Sequence, residues 1–418
     1  MIMKKISNKN FSIYTHHTKK FKTIGAMLVF INNVSLKDLI YATILSSVLT
    51  YSNKKYQTNR DLLIACQKLY DLAINNRVIR SDNKLVTVFD FYALNPKYTS
   101  KKCFSDSVNL LKECLLEPNV LDNHFDKDTL EVVKKRIKND IVKGCDYPQE
   151  FLNEKLYVSL DNTSLSITLH NSLKYLDEIN EYSLYEYYKE FMNNQDISLY
   201  LSGDFDDYVV DEFKSLPLVS KKIKLNDNQL LMVNDKKIHY IENNYNQNKI
   251  SCLLRYSNIT KEEYYYTSMM FNAIFGDLQD SILMTNLREK SSLVYYIDSY
   301  IRRFDQVMLV NAGFSIENTN KVLKGIKDNL KLIQKGEFSD NLVTKARESL
   351  ITVLKDNESS QFKLLNYMIG VVNFFNVSNK ERIRKYKLID KDKIVAFAKK
   401  IEIAKIYILW EDQDGKEA

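Results

Sequence analysis

Phe271-Asn272-Ala273-Ile274-Phe275-Gly276, followed by Ser281 and then Leu287-Arg288-Glu289-Lys290-Ser291-Ser292-Leu293-Val294-Tyr295-Tyr296, is the most informative stretch of the chain. It reads as the end of a helix over 262–275, a glycine turn, and a charged segment leading into a strand over 294–300. Two polar side chains stand out. Arg288 offers forked guanidinium donors and Tyr295 one phenolic donor. Taken singly, the arginine reads as a surface helix residue and the tyrosine pair as strand core.

Outward from this stretch, the second half reads as a strand at 250–256, the helix, strands at 294–300 and 307–314, further helices, and a closing strand at 405–409. The first half follows the same plan. Residues 25–31 (GAMLVFI) form an apolar strand, and Ser35 with Asp38 has the spacing of a capping box that starts a helix. Leu36, Leu39, Ile40, Leu45, Val48 and Leu49 recur there at helical spacing, while Thr43, Ser46, Ser47 and Thr50 gather small hydroxyls on another face. A second helix begins at Thr58 with Asp61 in the box position. A strand over 84–94, helices around 106–117 and 127–142, and a strand over 197–202 complete the half. Residues 216–237 carry a proline, mixed charge and turn formers, so they read as a linker. The expected domains are 1–225 and 226–418.

Composition bounds the function. At 418 residues the chain exceeds one ordinary core, and two domains of roughly 200 residues suit it. The first 22 residues lack an apolar targeting core, and no run of about 18 apolar residues occurs, so neither secretion nor a membrane span is expected. Cys66, Cys103, Cys114, Cys145 and Cys252 show no CxxC or Cys/His spacing, which argues against a zinc knot and fits a reducing cytoplasm. The net charge of +7 is small and mixed along the chain, weak grounds for nucleic acid. Phosphate-cradling glycine loops and a nucleophile elbow are missing from the sequence. The tyrosine clusters at 185–188 and 264–266 are expected to pack within amphipathic helices.

The 271–296 stretch resembles the second domain of the insulinase and processing-peptidase family, in which a helix, a glycine turn and an R-E-K-x-x-L-x-Y segment lead into a strand. Gln247 and the strand after it also resemble that domain's opening. The resemblance implies an α+β fold of two similar domains, each an antiparallel-rich mixed sheet covered by helices, closing as a clamshell. It also implies that Arg288 and Tyr295 hydrogen-bond the substrate backbone and the developing oxyanion. Active members carry an inverted H-x-x-E-H motif on a first-half helix, where two imidazoles on one face bind zinc and the glutamate activates water. Here Asn53-Lys54-Lys55-Tyr56-Gln57 resembles the segment after that helix. Counting back, the histidine positions fall on Thr43 and Ser47 and the glutamate on Ser46, so the motif reads TILSS. The third ligand position falls at Arg136, a cation.

The adjacent His16 and His17 and the isolated His124, His170 and His239 do not rebuild a ligand set. What the resemblance implies is therefore a chain without a metal of its own. It would pair with a zinc-carrying, HxxEH-containing subunit of the same family and help it bind a peptide or small-protein substrate. The alternative is a purely structural or peptide-binding scaffold with no part in proteolysis. Retention of both Arg288 and Tyr295 favours the first. Bacterial relatives of this kind accompany elongation factor P modification or bacteriocin maturation, and the residues do not choose between these settings.

Overall fold

The computed structural model of the protein describes residues 3–161, 163–226, 237–243 and 247–411. Most of the stretch read as a linker, 227–236, and the charged tail from residue 412 lie outside them. Two compact units result, one of Met1–Val142, Ile167–Asp227 and Asn357–Asn376, the other of Lys143–Ser166, Asn228–Asp356 and Val377–Ala418.

The first unit is built on strands β1 (Lys4–Ile6), β2 (Ser12–His17), β3 (Thr23–Asn33), β4 (Ala73–Ser81), β5 (Lys84–Leu94) and, after a short hairpin β6–β7 (Val120–Leu121, His124–Phe125), β8 (Asp196–Gly203). They lie in the order β1-β2-β8-β3-β5-β4. Only β2 and β8 run parallel; the other neighbours are antiparallel. The second unit contains β9 (Ile238–Asn243), β10 (Asn248–Tyr256), β11 (Tyr296–Arg302), β12 (Val307–Phe314) and β13 (Ile401–Glu411), ordered β11-β12-β10-β13-β9. There β9 and β13 are the parallel pair. Starting from β2 and from β9, both sheets place first strand beside last, then second, fourth and third. The two units therefore share one topology, an antiparallel-rich mixed sheet clad in helices, as the fold-class expectation had it.

Residues 25–31 of β3 are all buried. A strand reads as a continuous apolar run when both of its faces are covered, and that is the case here. One face of the first sheet packs on the unit's main helices. The other receives the helix Gln361–Gly370, whose Leu364, Leu365, Met368 and Ile369 meet Met27, Val29, Ile31, Val86 and Val88. Each such side chain contributes about 1.5–3 kcal/mol when fully buried. Gly25 is needed beneath this helix, because a Cβ there would lie 2.6 Å from Cδ of Gln361. The second sheet is treated alike: one face carries its own helices, and the other receives the helix Pro148–Val158 through Leu152, Leu156 and Tyr157. Relative to chain order, the segments carrying these two helices are exchanged.

Both anticipated helix starts are capped. Ser35 Oγ accepts from the Asp38 amide at 3.0 Å, and Thr58 Oγ1 accepts from the Asp61 amide at 3.2 Å. Strands β1, β2, β4 and β9 escaped the sequence pattern. For β4 the reason is that no residue of the strand is fully buried, so its composition shows no apolar alternation.

Candidate functional site

The helix Leu36–Leu49 carries Thr43, Ser46 and Ser47. Thr43 turns its hydroxyl back to the Leu39 carbonyl at 2.7 Å. Ser46 and Ser47 are buried. Ser46 Oγ donates to the Thr43 carbonyl at 3.3 Å and accepts from Asn76 Nδ2 at 2.9 Å. The same amide reaches Ser47 Oγ at 3.2 Å, and Thr50 Oγ1 donates to Asn76 Oδ1 at 2.8 Å. Asn76, from β4, thus ties the hydroxyl stripe together. Zinc needs imidazole, thiolate or carboxylate donors, and these hydroxyls already serve the backbone and one amide, so the residues present do not fit the metal. Arg136 is exposed on the helix Lys127–Gly144, whose buried face is Thr129, Leu130, Val133 and Ile137.

The histidines stay apart. His17 packs on Phe205 with ring centroids 4.1 Å apart, His124 on Tyr182 at 5.2 Å, and His239 stacks on Tyr407 at 4.8 Å. Among the described residues, no group of three or more His, Cys, Asp or Glu is placed to hold a metal ion.

In the second unit the quoted stretch forms a tightly pinned turn. The helix that begins at Lys261 has π geometry over Glu263–Thr267 and again over Ala273–Asp277, and it ends against β11, where a Cβ on Gly276 would lie 2.5 Å from Ser299 Oγ. Gly276 is therefore demanded by close approach and not by a left-handed turn. Beside it Ser299 Oγ donates to Asn272 Oδ1 at 2.9 Å. Ser281, fully buried, starts the next helical segment: its carbonyl accepts from the Thr285 amide at 2.9 Å. That segment is a π-helix over Met284–Glu289. It stops at Ser292, whose φ is +49°, with the Leu293 amide bonded to the Leu287 carbonyl at 2.8 Å. Leu287 and Val294 are buried, and the Tyr295 amide bonds the Gly313 carbonyl at 2.7 Å.

On this frame Arg288 is exposed and Tyr295 keeps 52% of its surface. Arg288 Nη1 approaches Met284 Sδ at 3.8 Å, and the Tyr295 hydroxyl shares a 2.6 Å hydrogen bond with Ser315 Oγ. Three residues after Tyr295, the side chain of Asp298 reaches solvent, yet its carboxyl is pushed up to about 6, first by lost hydration and then by the carboxylates of Asp277 and Glu150. Burial likewise raises the Tyr296 phenol.

Residues 178–350 match the family described as Peptidase M16 inactive domain. Over these residues the chain is similar to M16-family peptidases. Over 404 residues it is 21% identical to a "Probable inactive metalloprotease YmfF" of Bacillus subtilis (strain 168), covering 94% of each chain. Its fold resembles a conserved protein from Enterococcus faecalis V583, with a TM-score of 0.88 and 21% identity, over 98% of this chain and 99% of that one. It also resembles a peptidase M16 inactive domain from Pseudomonas fluorescens, with a TM-score of 0.78 and 16% identity, over 98% of both chains. The M16 match contains Arg288 and Tyr295 and excludes Thr43, Ser46, Ser47 and Arg136.

Two residues beside these positions eluded the sequence reading. Asn76 could be found only by recognising β4. Ser315 follows from register: Tyr296 pairs with Gly313, so the residue before Tyr296 and the residues just after Gly313 come side by side. Among the described residues, no helix is long and apolar enough to cross a membrane.

Proposed function

We propose that this chain is the non-catalytic half of a two-subunit peptidase, pairing with an HxxEH-containing M16 subunit in the cytoplasm. The observation that carries this reading is the exposure of Arg288 and Tyr295 on a frame whose backbone is pinned on both sides. A guanidinium and a phenol held this way are pre-oriented donors, able to clamp a peptide backbone and to stabilise an oxyanion without reorganising. Ser315 orients the phenol from behind; when it donates to the Tyr295 oxygen, the Tyr295 proton is free for substrate. The partner would supply the metal, the water and the general base. The motif helix supports this division, since Thr43, Ser46 and Ser47 offer neither ligands nor a base.

Reconstitution tests the proposal. Purified alone, the chain should bind no stoichiometric zinc by elemental analysis and cleave no peptide; mixed with an HxxEH subunit, it should form a 1:1 complex that cleaves peptides neither subunit cleaves alone. A partner that reaches the same turnover without this chain would leave it the scaffold role instead.

A further inference from the structure

Each sheet is closed on one face by a helix from the other half of the sequence, and the two helices are fastened in the same manner. Gln361, the first residue of Gln361–Gly370, donates from Nε2 to the Thr23 and Ser202 carbonyls at 3.1 and 2.8 Å, and its Oε1 accepts from Thr23 Oγ1 at 2.6 Å. Gln149, the second residue of Pro148–Val158, donates to Ser251 Oγ at 2.7 Å, Asn311 Oδ1 at 3.1 Å and the Ile250 carbonyl at 3.3 Å, while its Oε1 accepts from the Tyr296 hydroxyl at 2.8 Å. A polar plug at the helix start is thus followed by an apolar face in both cases. Further fastenings follow: Asn373, just past the end of Gln361–Gly370, donates from Nδ2 to the Tyr200 hydroxyl at 2.8 Å in the first unit, and within Pro148–Val158 the Tyr157 hydroxyl meets that of Tyr300 at 3.0 Å in the second.

Apolar burial supplies attraction without register, whereas an amide that satisfies several partners at once, buried at Gln361 and half-buried at Gln149, fixes where the helix sits and makes any other placement leave polar groups unpaired. Without the second half of the sequence, the first sheet would expose Met27, Val29, Ile31, Val86 and Val88; without the first half, the second sheet would expose Leu253, Val307, Leu309 and Leu409.

We propose that the peptide connection between the halves is dispensable, and that fragments 1–230 and 231–418 hold one another as a non-covalent pair through these reciprocal helices. Clipping between residues 227 and 236 then leaves the assembly whole, so a partner subunit meets an intact protein whether or not the connection is cut.

A protease recognition site placed within 227–236 of the full chain tests this. After cleavage at micromolar concentration, the two fragments should elute together at the position of the intact 49.1 kDa chain and separate only in denaturant. Separation under native conditions would overturn the proposal. Contacts other than the helices are controlled by the double substitution Gln149→Glu with Gln361→Glu, which sets a carboxylate against carbonyl oxygens. It should weaken the cut pair about 100-fold, about ten-fold for each plug, while the uncut variant keeps its native circular dichroism. Should that variant misfold when uncut, Gln149→Leu with Gln361→Leu removes the same bonds at similar volume. A dissociation constant within three-fold of the unsubstituted pair in whichever variant folds would show that the helices are not the fastening.

Discussion

The hydroxyl stripe at Thr43–Ser47 and the turn at Arg288–Tyr295 differ in where their polar groups are spent. In the first, the hydroxyls close on helix carbonyls or on Asn76, and both serines are out of water. In the second, the backbone amides and carbonyls are used up in building the turn, and the arginine and tyrosine side chains remain on the surface. A region whose polar groups satisfy one another contributes stability. A region that holds donors outward at the cost of a left-handed serine and a widened helix leaves those donors open to a ligand. The two stretches, one closed on itself and one turned outward, carry opposite physical signatures within one chain.

The contrast can be broken at several points. Asn76→Ala removes the amide that unites Ser46, Ser47 and Thr50; thermal or urea unfolding should show a loss of about 1–3 kcal/mol, with turnover of the mixed complex unchanged. A fall in turnover with no fall in stability would mean that the stripe still acts on substrate. Gly276→Ala forces a methyl onto Ser299 and should cost a similar amount, about 1–3 kcal/mol. Because it shifts the frame beneath the turn, it should also reduce turnover, and unaltered activity would argue that the frame does not position Arg288.

The pH dependence of stability separates the units further. The folded-state pKa of Asp298 lies at about 6, above its ordinary value of 3.8. The folded protein therefore holds this proton more tightly than the unfolded chain, and stability should decline as pH rises from about 4 to about 7. Asp298→Asn should flatten that part of the profile, and an unchanged profile would refute the assignment. The smallest effect is expected for Ser315→Ala. Stability should move by less than about 0.5 kcal/mol, as for most surface substitutions, while turnover of the complex falls by less than the loss of Tyr295's own hydroxyl.

Much of this was legible in local sequence. The caps at Ser35 and Thr58 need only residues three positions apart, and the 271–296 stretch carries its frame in Gly276, Ser281, Leu287 and Leu293. What could not be read is nonlocal. Asn75, Asn76 and Arg77 break the apolar pattern of an edge strand, so the partner of the hydroxyl stripe stayed hidden. The helices Pro148–Val158 and Gln361–Gly370 went unread, and nothing within either segment says which sheet it covers.

The most direct test compares Arg288→Ala and Tyr295→Phe, singly and together, in a complex reconstituted with an HxxEH subunit. Removing one oxyanion donor typically lowers turnover by about 10² to 10³, or roughly 3 to 4 kcal/mol. Each substitution should do so with complex formation intact, while Ser46→Ala changes turnover by less than about two-fold, as expected of a residue that touches no substrate. Full activity in the double variant would contradict the account and leave the chain as a scaffold.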